Sequence, residues 1–336
     1  MTWIDIFEAP VEIRGLPWVK ENAPELWRLP ASAEGQVRDP VWHHGRFPAG
    51  GRIRLSAATK ALSVRLELEE FEPRSNMSHI GTRGLDAYVN GRYWNSVCAD
   101  RPGAVELCFF DGANSSEKEI DIYLSLWQVV RVIAVGVDDS ASVGMPRAFF
   151  REKPIVFYGS SIAQGISACR PGMTYPAQLS RQLDVDFVNF AVSGQGQAEA
   201  EVVSLICEVD SCCYVLDLGK SYGRQSGDAY RAMLATIREA RPETPIVCVV
   251  PIYSTREWFD PDYGSLTRHT RAVVYESVEA FRRSGGEGLD LVNGLDLLGP
   301  EETDAYHEGV HPTDHGYRLI ADRLRPTVES AISRGG

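Results

Sequence analysis

From residue 155 onward, short apolar runs alternate with stretches of helical period, and that alternation limits the chain more than any other feature of it. β-type runs occur at Ile155 to Tyr158, Phe187 to Val192, Cys213 to Leu218, Ile246 to Val250 and Leu289 to Val292. Helical stretches fall between them at Met173 to Leu183, Ala198 to Cys207, Asp228 to Ala240 and Leu266 to Arg283. Runs without polar alternation are buried on both faces, as in a parallel sheet covered by helices. The order therefore predicts a three-layer α/β unit, a parallel sheet with helices on both faces joined by right-handed crossovers. A last helix is predicted after His311-Pro312, with Thr313 as N-cap, Tyr317, Ile320, Leu324 and Val328 on its buried stripe, and a kink at Pro326.

The preceding residues follow another grammar. Leu62, Val64, Leu66 and Leu68 alternate with Ser63, Arg65, Glu67 and Glu69, the period of a half-buried strand. Asn90-Gly91 between β-type runs marks a hairpin, because both turn positions need positive φ. Ile120 to Leu126 alternates again, and Val129 to Val137 is β-rich. Several short strands with no helical period predict an antiparallel sandwich or jelly roll. Ahead of it, five prolines from Pro10 to Pro40 interleave with Trp3, Trp18, Trp27 and Trp42, which predicts an extended lead-in packed by its aromatics. Weak periodicity with Gly144, Pro146 and Pro154 puts the boundary near residue 145, giving domains 1–145 and 146–336.

Composition excludes several classes. The 336 residues are 44% hydrophobic and 24% charged, values of a globular protein. A formal net charge of −12 supplies no field for a nucleic-acid backbone, so no nucleic-acid partner is expected. No run is long and apolar enough to span a bilayer, and Met1 to Glu8 lacks a basic n-region. The seven cysteines match no zinc spacing, so thiols in a reducing cytoplasm are the simplest expectation. Oligomeric state is open.

The chemistry is expected at the carboxyl edge of the sheet, where open α/β folds bind ligands. Strand ends and late loops there present Gly159-Ser160-Ser161, Ser193-Gly194-Gln195-Gly196, Gly219-Lys220-Ser221-Tyr222 and Glu308-Gly-Val-His311-Pro312. A serine needs a base, and the base needs a third group to hold its tautomer. Glu308-x-x-His311 supplies both from one turn, and Pro312 forces His311 out of the helical region. The simpler reading of Ser160 and Ser161 is that they cap the next helix. Gly194-x-Gly196 lacks the third glycine of a dinucleotide fingerprint, and Gly159 to Gly165 lacks the Lys-Ser/Thr of a Walker loop. His307, His311 and His315 are four apart, but Pro312 breaks any common helix through them. The loop Arg74 to Gly84 could carry His79 over a neighbouring site.

Taken together, Gly159-Ser-Ser161-Ile, Gly194, Gly219-x-Ser221 and Glu308-x-x-His311 resemble the four blocks of the SGNH, or GDSL-type, hydrolase and acyltransferase family over residues 154 to 330. The preceding sandwich is similar to the amino-terminal domain of a subset of these enzymes. The resemblance implies Ser161 as nucleophile, His311 as general base and Glu308 as orienting acid, with the N–H groups of Ser161 and Gly194 in the oxyanion hole. It implies a small-molecule or carbohydrate ester as substrate, with no cofactor and no metal. Two positions depart from the family pattern: Glu308 stands for its Asp, and Ser221 for its side-chain donor Asn, where the Ser221 hydroxyl can still donate one hydrogen bond to the hole or Lys220, Tyr222 or substrate can complete it. Hydrolase and acyltransferase share every residue named. The reading from another class is a glycan-binding protein whose second domain is degenerate because of Ser221.

Overall fold

The computed structural model describes residues 1–335. Its parallel sheet has the order Val185–Asn189, Arg151–Gly159, Cys213–Asp217, Ile246–Val249, Leu289–Val292. The second and third strands in sequence flank the first, so the winding reverses at the end of Arg151–Gly159 and opens a crevice there. Alternate residues of that strand serve two cores. Ile155 and Phe157 pack with the helices Tyr175–Leu183 and Asp314–Arg334, while Val156 and Tyr158 pack with Ala200–Glu208, Asp228–Ala240 and Pro261–Arg283.

Three helix starts were set by polar chemistry that hydrophobic period does not report. Thr174 caps Tyr175–Leu183 with Pro176 in its first turn, so the stretch from Met173 is divided. Asp260 caps a helix that begins at Pro261, five residues before the apolar period does. Thr313 caps Asp314–Arg334 as expected, and that helix runs unbroken through Pro326.

The amino-terminal region holds two antiparallel sheets. One has the order Thr2–Asp5, Val130–Val137, Leu62–Leu68, Gly103–Phe110; the other contains Arg52–Ala58, Glu117–Tyr123, Gly84–Val89 and Arg92–Cys98. Their inner faces enclose a separate core including Ile53, Leu55, Val64, Leu66, Ile122 and Val132. The architecture is thus a β-sandwich followed by a flavodoxin-like α/β unit.

The lead-in is less extended than expected. Its first strand joins a sandwich sheet, and Asp39–Gly45 is helical because Pro40 falls in the first turn, where no N–H is missed. Its aromatics do pack: Trp27 meets Trp42 edge-on at 5.4 Å, and Trp18 meets Phe190 at 5.7 Å. From this lead-in the buried Arg28 donates to the carbonyls of Phe47 (2.8 Å), His44 (2.7 Å), Asn189 (2.9 Å) and Ala191 (2.7 Å). Burial lowers its pKa to about 9, yet these carbonyls satisfy four of its donors. Asp86 of the sandwich accepts from Arg170 (2.9 Å) and from the Gly172 N–H (2.8 Å), and Arg52 pairs with Asp186. These buried polar ties span both units. Among the described residues no helix is long and apolar enough to cross a membrane.

Candidate active site

The serine turn is shaped by close backbone approach. A Cβ at Gly159 would lie 2.2 Å from the Asp217 carbonyl oxygen, so glycine alone fits where the two strands end side by side. The Ser160 N–H donates to that same oxygen at 2.9 Å, and the Ser160 hydroxyl accepts from the Ile162 N–H as N-cap of Ser161–Gln164. The capping role considered for both serines therefore falls to Ser160 alone. Ser161 is the first helical residue, and its Oγ lies 2.8 Å from His311 Nε2.

His311 comes from a turn closed by its own backbone. Tyr306 bridges to Pro312, the His307 N–H donates to the His311 carbonyl at 2.8 Å, and Gly309 at φ +82° makes the reversal. That turn sets Glu308 against His311 Nδ1. The network assigns the tautomer: Nδ1–H donates to the carboxylate, leaving the Nε2 lone pair to accept from the Ser161 hydroxyl. Burial works to raise the Glu308 pKa, but hydrogen bonding to the imidazole and its charge outweigh this and hold it below the usual value. Glutamate in place of aspartate thus reaches the imidazole.

Gly194, at φ +71°, lies in the turn after Val185–Asn189, and Ser221 lies in the single 3₁₀ turn Gly219–Tyr222 after Cys213–Asp217. Both turns are pressed against the serine turn. A Cβ at Gly196 would meet the Gly159 carbonyl oxygen at 2.8 Å, and one at Gly219 would meet Ser160 Oγ at 2.6 Å. Among the described residues, the N–H groups of Ser161 and Gly194 donate to no protein acceptor.

Lys220 and Tyr222, considered above as substitutes for the missing Asn, face elsewhere. Lys220 Nζ is turned to the Tyr253 carbonyl (3.1 Å), Ser254 Oγ and Glu257 (3.6 Å), while Tyr222 donates to the Ser226 carbonyl. Burial lowers the Lys220 pKa to about 7 despite Glu257. Ser221 alone of these three has its side chain without an internal partner among the described residues.

His79 is not brought to this cluster. It is exposed at the start of the short helix His79–Arg83, which Ser78 caps, and its side chain has no hydrogen bond to Ser161, Glu308 or His311. The same loop nevertheless crosses to the site through Asn76, whose Nδ2 lies 3.5 Å from Glu308 Oε1 and whose carbonyl accepts from Ser167 Oγ at 2.7 Å. Pro73, Arg74, Ser75 and Asn76 line an open groove with His307 and Glu308. Asp217 was missed as well. It lies fully buried under the serine turn, accepts from Tyr175 OH at 3.1 Å, and has its pKa raised to about 6 by burial. A single acidic residue ending an apolar run was its only sequence signal.

A flavodoxin-like sheet behind a β-sandwich, with serine, imidazole and carboxylate aligned at its carboxyl edge, defines an enzyme of the SGNH esterase or acyltransferase class. The chain belongs to the GDSL-like lipase/acylhydrolase family, whose model matches residues 152–329, and residues 1–143 match the N-terminal domain of SGNH-hydrolase-type esterases. It is similar to a protein from Bacteroides ovatus ATCC 8483 assigned as a GDSL-like lipase, at 23% identity and TM-score 0.89, over 99% of this chain and 98% of that one. The salicylyl-acyltransferase SsfX3 from a tetracycline biosynthetic pathway is 22% identical at TM-score 0.84, over 98% and 97%. The acetyl xylan esterase Est2A from the rumen bacterium Butyrivibrio proteoclasticus is 12% identical at TM-score 0.65, over 99% and 100%. No curated protein matches the sequence.

Proposed function

We propose that the protein cleaves a small-molecule or carbohydrate ester through a Ser161 acyl-enzyme. The observation that carries this is the alignment of Ser161 Oγ, both His311 ring nitrogens and Glu308 in one hydrogen-bonded line. His311 Nε2 takes the hydroxyl proton as Oγ bonds to the acyl carbon, and the carbonyl electron pair moves onto oxygen. The N–H groups of Ser161 and Gly194, with the Ser221 hydroxyl, receive that oxyanion. As it collapses, the alcohol leaves with the proton from Nε2. Water, deprotonated by the same nitrogen, then releases the acid and restores the serine.

An acceptor alcohol in place of water would make the same site an acyltransferase. The open groove beside Glu308 has room for either, and full-length similarity to an acyltransferase keeps transfer as the second reading. The assembled relay weighs against a purely glycan-binding role. Seven free cysteines, three of them buried, fit a reducing cytoplasm. Fluorophosphonate labelling tests the enzyme reading: wild-type protein labels and Ser161→Ala does not, at unchanged Tm. A folded wild-type protein that resists labelling would sink it. Hydrolysis and transfer separate by partitioning an acyl ester between water and an alcohol series, where a saturable product ratio identifies transfer.

A further inference from the structure

Arg74 lines the groove beside Glu308 with a half-buried guanidinium that the protein leaves unsatisfied. Its Cζ lies 4.0 Å from the centre of the buried Trp127 ring, and among the described residues its Nε is buried without a hydrogen-bond partner. The carboxylates near it are engaged elsewhere: Glu72 faces His43 Nε2 at 3.2 Å, and Glu308 faces His311. Burial lowers the Arg74 pKa, and the charge of Glu72 offsets this only in part. By contrast, Arg28 donates to four carbonyls and Arg52 pairs with Asp186.

Two sets of contacts place this cation at the site. On one side, Trp127 belongs to the core that includes Ile162 and Ala163 of the serine helix, and the neighbouring Leu126 carbonyl accepts from Gln164 Nε2 at 3.3 Å. On the other, Arg74 shares its groove with Asn76, His307 and Glu308, and Asn76 reaches Glu308. Arg74 is thus held between the helix that starts at Ser161 and the turn that carries His311. The segment presenting it is fixed at both ends. Gln128 Nε2 donates to the Glu69 and Glu70 carbonyls at 3.3 and 3.2 Å, Met77 is buried, and Ser167 Oγ holds the Asn76 carbonyl. A cation positioned before its partner arrives loses little freedom on pairing.

The path of the proton decides which half of an ester enters this groove. His311 Nε2 protonates the leaving oxygen, so the alcohol lies on the imidazole side, while the carbonyl oxygen turns to the N–H groups of Ser161 and Gly194. The groove beside Glu308 continues from the imidazole side. A guanidinium pairs with a carboxylate through two parallel N–H donors. With Glu72 and Glu308 close by, one guanidinium offsets one negative charge, which suits a carboxylate and not a phosphate dianion.

We propose that Arg74 binds a carboxylate on the alcohol portion of the substrate, so that the protein acts on O-acylated hydroxy acids. This rests on the ester-cleaving reading above and narrows it to one substrate class. The test is protection of Ser161 from a fluorophosphonate by the leaving group alone, with straight-chain ω-hydroxy acids of increasing length, the primary amide of each, and the unsubstituted alkanoates. In wild-type protein the best hydroxy acid halves the labelling rate at a concentration about ten-fold below that of its amide. Arg74→Met, which keeps an apolar stack on Trp127, abolishes that selectivity, and Arg74→Lys restores part of it, with Tm followed on the same samples. Equal protection by acid and amide in the wild type at every length overturns the proposal without any variant, as does a selectivity that survives Arg74→Met. Alkanoates that protect as well as the hydroxy acids, and cease to in Arg74→Met, would put the carboxylate on the acyl side and overturn the assignment too. A wild-type protein that takes no label removes the ester reading and this inference with it, whereas full labelling without selective protection removes the carboxylate seat alone.

Discussion

Two carboxyl groups flank the Ser161 turn, and the protein treats them oppositely. Asp217 ends a central strand, is buried, and is pushed up to about 6 by that burial. Glu308 stands in a partly exposed turn against an imidazole and is held below the usual glutamate value. One therefore acts through its backbone, whose carbonyl anchors Ser160, and the other acts through its charge on His311. Nearness to Ser161 does not assign a carboxylate its role; the environment that sets its ionisation does.

The largest effect is expected at the charged partner. Glu308→Gln keeps the size of the side chain but removes the charge that holds the Nδ1–H tautomer, and kcat should fall about 10³- to 10⁴-fold with little change in Tm. A fall below ten-fold would mean that the carboxylate is incidental and the contrast false. Next comes the turn that Asp217 leads into. If Ser221 supplies the third oxyanion donor, Ser221→Ala should cost about 10²-fold in kcat and leave KM nearly unchanged, the pattern of an interaction made in the transition state. Equal loss in KM would place the hydroxyl on the ground-state substrate instead.

The smallest effect, and the sharpest on the comparison, concerns stability. Between its ordinary value of 3.8 and about 6, folded Asp217 keeps a proton that the unfolded chain has lost, so stability falls as pH rises through that window and levels off above it. The full shift corresponds to about 3 kcal/mol. Asp217→Asn should flatten that part of the urea-denaturation profile and raise stability at pH 7, with kcat changed far less than in Glu308→Gln. A pH profile identical to wild type would mean that Asp217 ionises freely and that burial does not govern it.

Local chemistry made the serine turn and the Glu308-x-x-His311 turn legible in the sequence, because glycine, serine caps and proline act within a few residues. Ser160 and Ser161 look equivalent on that scale. Only the pairing of Gly159 with Asp217, which anchors the Ser160 N–H, and the arrival of His311 at Ser161 separate a cap from a nucleophile candidate. His79 was the natural choice in its loop by residue type, yet it is Asn76 that reaches Glu308, a contact across 232 residues that no local pattern reports. The cluster of Lys220, Glu257 and Arg271 was illegible for another reason. These residues carry no periodicity, and as isolated charges they look like solvated surface, whereas in the structure they are buried against one another.

Apolar periodicity, with turn and cap residues, determined the two kinds of fold, their order along the chain and the sheet edge where chemistry would lie. These rest on burial and backbone sterics, which neighbouring residues express directly. Which side chains meet there was decided by the tertiary structure. Ser161 and His311 are 150 residues apart, and a hydrogen bond between them depends on strand order and loop ties that no short segment contains.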